Sequence, residues 1–135
     1  MNTSTSEKKI VIEAIEDDAL LRTVLRDKFS GEGFQVLEAS DGKEGLATAL
    51  REKPDLILLD IVMPEMDGIT MMQKLRQENE WGKHVPIILL TNLSADNEKI
   101  NQAIADNEPA YYLVKSNWTM SDLVEKVRER LSRPC

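Results

Sequence analysis

The 135 residues suffice for one domain with a real core and are too few for two ordinary ones. Apolar residues make up 41% and charged residues 30%, the balance of a soluble globular protein, and the formal charge of −7 argues against general affinity for nucleic acid or an anionic membrane. The only cysteine is Cys135, which excludes a disulfide framework and a cysteine-built metal site, and no apolar run approaches the ~20 residues that span a bilayer, so a cytoplasmic location is expected.

Residues 1–8 are polar, lack the apolar core of a signal peptide and are expected to be a flexible tail; 9–132 would form one domain and 133–135 a second short tail. Ile10 to Ile15 is strand-like, although Glu13 interrupts it. Leu20, Leu21, Val24, Leu25 and Phe29 follow at helical spacing until Gly31 and Gly33 end the run. Phe34 to Ala39 reads as a second strand, and Asp41 with Glu44 is a capping signal before Leu46, Ala49 and Leu50. Pro54 stops that helix. Leu56-Ile57-Leu58-Leu59 is apolar on both faces and suits a parallel strand covered by helices on each side.

Asp67-Gly68 opens a helix with Ile69, Met72 and Leu75 on one stripe, and Met63, Met66, Met71 and Met72 read as packing and not as a soft-metal site. His84 falls in a loop before a fourth strand, Val85 to Leu90, where Pro86 sits near the start and its missing donor is tolerable. Ser94 caps a fourth predicted helix containing Ile100, Ala103 and Ile104. Tyr111 to Val114 is the fifth strand, and Thr119 with Asp122 caps a last helix carrying Leu123, Val124, Val127 and Leu131; Trp118 just before it reads as a core or surface cover. Five strand–helix units in a row predict an α/β fold, a doubly wound five-stranded parallel sheet with helices on both faces, and ligands at the carboxyl ends of its strands.

Those ends carry Glu16-Asp17-Asp18 after the first strand, Asp60 after the third, Thr91-Asn92 after the fourth and Lys115-Ser116-Asn117 after the fifth. Crowded carboxylates repel, and a hard divalent cation with retained waters removes that penalty. An ionised Asp beside magnesium can attack a phosphoryl group, while the metal and a lysine neutralise the transferring oxygens. Asp18 is better placed to cap the first helix than to bind metal.

Glu16-Asp17, the stretch Asp60-Ile61-Val62-Met63-Pro64-Glu65-Met66-Asp67-Gly68, Thr91 and Lys115 together resemble the signature of bacterial response-regulator receiver domains, from about Lys9 to Leu131. The resemblance implies a flavodoxin-like (βα)5 sheet of strand order 2-1-3-4-5, chemotaxis-regulator-like, and a phosphorylation switch in two-component signalling. It implies that Asp60 is both phosphoacceptor and metal ligand. Asp17 would bind Mg2+ (Mn2+ possible) directly, Glu16 through water, and the Val62 backbone carbonyl would be a further ligand. Lys115 would pair with the phosphate, Thr91 would be the switch hydroxyl, and Tyr112 the aromatic that reports the phosphorylated state. Pro64 and Gly68 would shape the loop after Asp60. The implied donor is a histidine kinase or histidine phosphotransfer protein. The implied readout is a change in the fourth-helix and fifth-strand surface, seen by an output protein or an output domain on another chain or missing from this one. Direct binding to nucleic acid or membrane is not expected, and the protein would be a monomer or a phosphorylation-dependent dimer.

The chain departs from the family pattern at a few positions. Glu13 in an otherwise apolar strand points to a bulge or a longer strand. Ser116 stands where the family has proline, so the loop after Lys115 should be all-trans. Asn92 replaces a small residue, and Asn107-Glu108-Pro109 replaces a glycine-containing turn. Two other functions fit parts of the pattern: an aspartyl-phosphate phosphohydrolase, against which Val62 stands where a second Asp would be needed, and a phosphorylation-independent interaction module.

Overall fold

The computed structural model describes residues 9–91, 98–107, 110–114 and 119–132. Along them run β1 (Val11–Ile15), α1 (Ala19–Gly31), β2 (Gln35–Ala39), α2 (Gly42–Glu52), β3 (Leu56–Asp60), α3 (Gly68–Glu78), α4 (Glu80–His84), β4 (Ile87–Thr91), α5 (Glu98–Asp106), β5 (Ala110–Val114) and α6 (Met120–Leu131). All neighbouring strands are parallel, in the order β2-β1-β3-β4-β5. This is the expected doubly wound α/β sheet.

The alternation of side chains along each strand builds two apolar layers. On one face Ile15, Ile57, Leu59, Ile87 and Leu89 pack with Ala49 of α2 and with Met71, Met72 and Leu75 of α3. On the other, Ile12, Ala14, Leu56, Leu58, Ile88 and Leu90 pack with Leu25 and Phe29 of α1 and with Leu123, Val124 and Val127 of α6. Every residue of β3 is buried, as its continuous apolar run requires. The helices start where the sequence puts oxygen caps. The Asp18 side chain accepts from Leu20 N–H and Leu21 N–H, Asp41 from Glu44 N–H and Asp67 from Thr70 N–H, and Thr119 and Asp122 form a reciprocal capping box.

Glu13 causes neither a bulge nor a longer strand. β1 is five residues long and its register is unbroken, with Glu13 opposite Leu37 on one side and Ile57 on the other. The side chain is 0% exposed and, among the described residues, neither carboxyl oxygen has a hydrogen-bond partner. Burial, reinforced by Glu44 and opposed by Arg51, pushes its pKa up to about 9.

The helix α4 was not visible in the amino-acid pattern, and His84 ends it instead of lying in a loop. The Asn79 side chain caps it by accepting from Gly82 N–H, and the half-buried Trp81 packs against the core. Beside it lies the buried Arg76 of α3. Its Nε donates to the Asn107 carbonyl at 2.8 Å, just after α5, and its Nη1 to the carbonyls of Gly82 at 2.8 Å and Val85 at 2.6 Å. Burial lowers the guanidinium pKa to about 10, still far above neutrality. The expectations for residues 1–8, Asn92, Ser94, Glu108-Pro109, Lys115, Ser116, Trp118 and residues 133–135 lie outside the described residues. No helix among the described residues is long and apolar enough to cross a membrane.

Candidate functional site

Parallel strands deliver their carboxyl ends to one edge of the sheet. β1 and β3 are neighbours there, with Ile15 opposite Leu59, so the residue after each, Glu16 and Asp60, emerges side by side. The carboxylates of Glu16, Asp17 and Asp60 each offer one oxygen, and the three oxygens lie within 4.8 Å of one another. Glu16 is 1% exposed and Asp60 5%, whereas Asp17 is exposed, so the cluster has an enclosed back and a wet front. Three oxygen donors with one side open to water suit a hard divalent cation that keeps part of its hydration shell. Among the described residues no other such group of acids or histidines is found.

The loop carrying Glu16 and Asp17 is held at several points. Glu16 N–H donates to the Ala39 carbonyl at 3.0 Å, extending the pairing with β2 by one residue. Asp18 N–H donates to Glu16 Oε2 at 3.2 Å, and Arg22 Nη1 donates to the Glu16 carbonyl at 2.7 Å. Asp18 caps α1, as its position suggested. Arg22 was not singled out by sequence, because a polar residue on an exposed helix turn carries no signal of what it reaches.

The loop after Asp60 is fixed by backbone contacts. Gly68 N–H donates to the Ile61 carbonyl at 2.8 Å and Met66 N–H to the Pro64 carbonyl at 2.7 Å. Glu65 between them takes a left-handed φ of 67°. Gly68 lies so close to Asp60 that a Cβ there would collide with the Asp60 carbonyl oxygen. Gly42, at the start of α2, approaches the Met66 carbonyl in the same way, a role no sequence pattern announced.

Val62 lies two residues beyond Asp60 and is 70% exposed. Thr91 closes β4 opposite Val114, one position beyond Leu90, the residue in register with Asp60. Tyr112 is the middle residue of β5, opposite Leu89. Lys115 follows the last residue of β5 and is outside the described residues.

A family model described as the response regulator receiver domain matches residues 12–128. The chain belongs to that family. This receiver domain is 36% identical over 129 residues to a probable transcriptional regulator, ycf27, of Porphyridium aerugineum, covering 94% of this chain and 49% of that protein. It is 38% identical over 93 residues to the alkaline phosphatase synthesis transcriptional regulatory protein PhoP of Bacillus subtilis, covering 69% of this chain and 37% of that one. It thus spans about half the length of the ycf27 relatives and less of PhoP. Among solved structures, the BeF3-activated receiver domain of Klebsiella pneumoniae RstA superposes with a TM-score of 0.78 at 28% identity, covering 91% of this chain and 99% of that one. A CheY-like receiver of Methanospirillum hungatei reaches a TM-score of 0.81 at 25% identity, covering 93% and 95%.

Proposed function

We propose that this receiver domain accepts a phosphoryl group on Asp60 from a phosphohistidine of a histidine kinase or histidine phosphotransfer protein, in a magnesium-dependent reaction. The observation that carries this reading is the convergence of the Glu16, Asp17 and Asp60 carboxylates at the edge of a sheet of this family. A bound magnesium ion supplies charge that neutralises the phosphoryl oxygens; manganese suits the same oxygen set. Asp17, Asp60 and the Val62 carbonyl would hold it directly and Glu16 through water. An Asp60 carboxylate oxygen attacks phosphorus, the P–N bond breaks, and the imidazole departs. The roles of Lys115, pairing with the phosphoryl oxygens, and of Thr91, donating its hydroxyl to them, rest on the family resemblance.

The predicted fourth helix is α5 here, and its surface with β5 is the proposed readout. Tyr112 would report the change, and an output protein or output domain would read it. The relatives named as transcriptional regulators support an output of that kind beyond the matched region. The domain itself, residues 9–132, would bind neither DNA nor membrane and would turn over nothing but its own acyl phosphate, in the cytoplasm. Val62 and Leu93, two residues beyond Asp60 and Thr91, are apolar and cannot orient an attacking water, so the phospho-state should persist.

Acetyl phosphate with magnesium should add one phosphoryl group to the wild type by intact mass and none to Asp60→Asn, and the label should outlast the assay. Equal labelling of both proteins, or none of either, would show that Asp60 does not do this chemistry. Unchanged NMR shifts around β5 on beryllofluoride addition would favour the phosphorylation-independent module.

A further inference from the structure

The contacts of Arg22 with Glu16 and Glu38 reach beyond packing. Its Nη1 donates to the Glu16 carbonyl at 2.7 Å, and its Nε lies 3.6 Å from Glu38 Oε1. The second Glu38 oxygen lies 3.6 Å from Nη1 of Arg26, one turn further along α1. Glu38 is in β2, in register with Ala14, two residues before Glu16. A planar guanidinium on α1 therefore joins β2 to the loop that leaves β1.

The carbonyl it holds belongs to the peptide unit between Glu16 and Asp17. A peptide unit is planar, so holding its oxygen constrains the plane on which both Cα atoms sit and limits the directions in which the two side chains leave. Glu16 N–H and Glu16 Oε2 are fixed by the Ala39 carbonyl and by Asp18 N–H. Those contacts do not touch the carbonyl of the following peptide, which Arg22 holds, and Asp17, on the wet side of the cluster, follows directly from that peptide. We propose that Arg22 is a positioning residue for the metal site: anchored by Glu38, it sets the Glu16–Asp17 peptide so that both carboxylates converge with Asp60 on the divalent cation. This rests on the magnesium-dependent reading of the cluster. A lysine would serve both partners less well, because its three donors radiate from one rotatable nitrogen and lack the planar fork of a guanidinium.

Outer contacts that orient metal-binding groups typically account for 10–100-fold in affinity. Calorimetric titration of the full chain with magnesium chloride alone should therefore show binding weakened about tenfold in Arg22→Met, which keeps the stem and removes the donors. Arg22→Lys should fall between it and the wild type. With acetyl phosphate, half-saturating magnesium should rise by a similar factor, while the rate at saturating magnesium falls much less. At a temperature where circular dichroism shows both metal-free proteins fully folded, a variant that was only less stable would keep the wild-type half-saturation point. Wild-type magnesium affinity in Arg22→Met overturns the proposal; should that variant not fold, wild-type affinity in Arg22→Lys does so. Absence of magnesium binding by the wild type would instead overturn the reading of the cluster as a metal site.

Discussion

Glu13 sits between Leu37 and Ile57 in the sheet with neither oxygen hydrogen-bonded among the described residues, and its pKa of about 9 keeps it protonated at neutral pH. The unfolded chain releases that proton near the ordinary value of 4.5, so between about 4.5 and 9 the folded state binds more protons than the unfolded one. Its contribution is thus fully present below 4.5 and is lost as pH rises through that window, by up to ~1.4 kcal/mol per pH unit. Glu13→Leu removes both the proton and the unpartnered oxygens, and should raise stability at pH 7 by about 2 kcal/mol or more. Denaturant melts of the two proteins should diverge steadily from pH 5 to pH 9; a constant gap would mean that Glu13 does not titrate there. The sequence made Glu13 conspicuous, because a charged residue broke an apolar run. Its outcome was not legible, since whether a strand bulges or buries an acid depends on the helix laid over it, here α2 with Glu44 and Arg51. Arg22 was illegible for the opposite reason: nothing in its surroundings along the chain is unusual.

Glycines mark where elements approach one another, and the approach can be tested. In Gly68→Ala the new Cβ would meet backbone atoms of Asp60 and Ile61, which cannot rotate away. Such overpacking costs typically 1–3 kcal/mol, roughly, and it falls on the carbonyl of the proposed phosphoacceptor, so both the denaturation midpoint and the rate of labelling should drop. Gly31→Ala at the end of α1 meets nothing within 4 Å and should be neutral or slightly stabilising. Equal midpoints for the two variants would contradict this. Asp67-Gly68 was recognisable as a helix start, and the caps at Asp18, Asp41, Asp67 and Thr119 were all readable because each places a side-chain oxygen where backbone donors are orphaned. The helix α4 was missed because five residues are too few to show a period; Asn79 before Glu80 was the one usable signal.

At the scale of the molecule, the alternation of apolar runs with helical stripes was enough to predict a parallel sheet, and the sheet alone brings residues 16, 17 and 60 together. Arrival at one edge follows from topology, whereas the aim of the carboxylates there depends on loop contacts such as that of Arg22 with the Glu16 carbonyl. A metal bound only by the folded state should stabilise the whole domain, by about 1.4 kcal/mol when magnesium is tenfold above its Kd. Asp17→Asn lowers the negative charge of the cluster, so it should melt higher than the wild type without metal and gain nothing when magnesium is added. Melting curves for both proteins that ignore magnesium would argue against a metal site at this edge.

Arg76 ties the carbonyl after α5 to the corner formed by α3, α4 and the start of β4. It makes that end of α5 a fulcrum. A rearrangement of the proposed readout surface would then pivot about that anchored end.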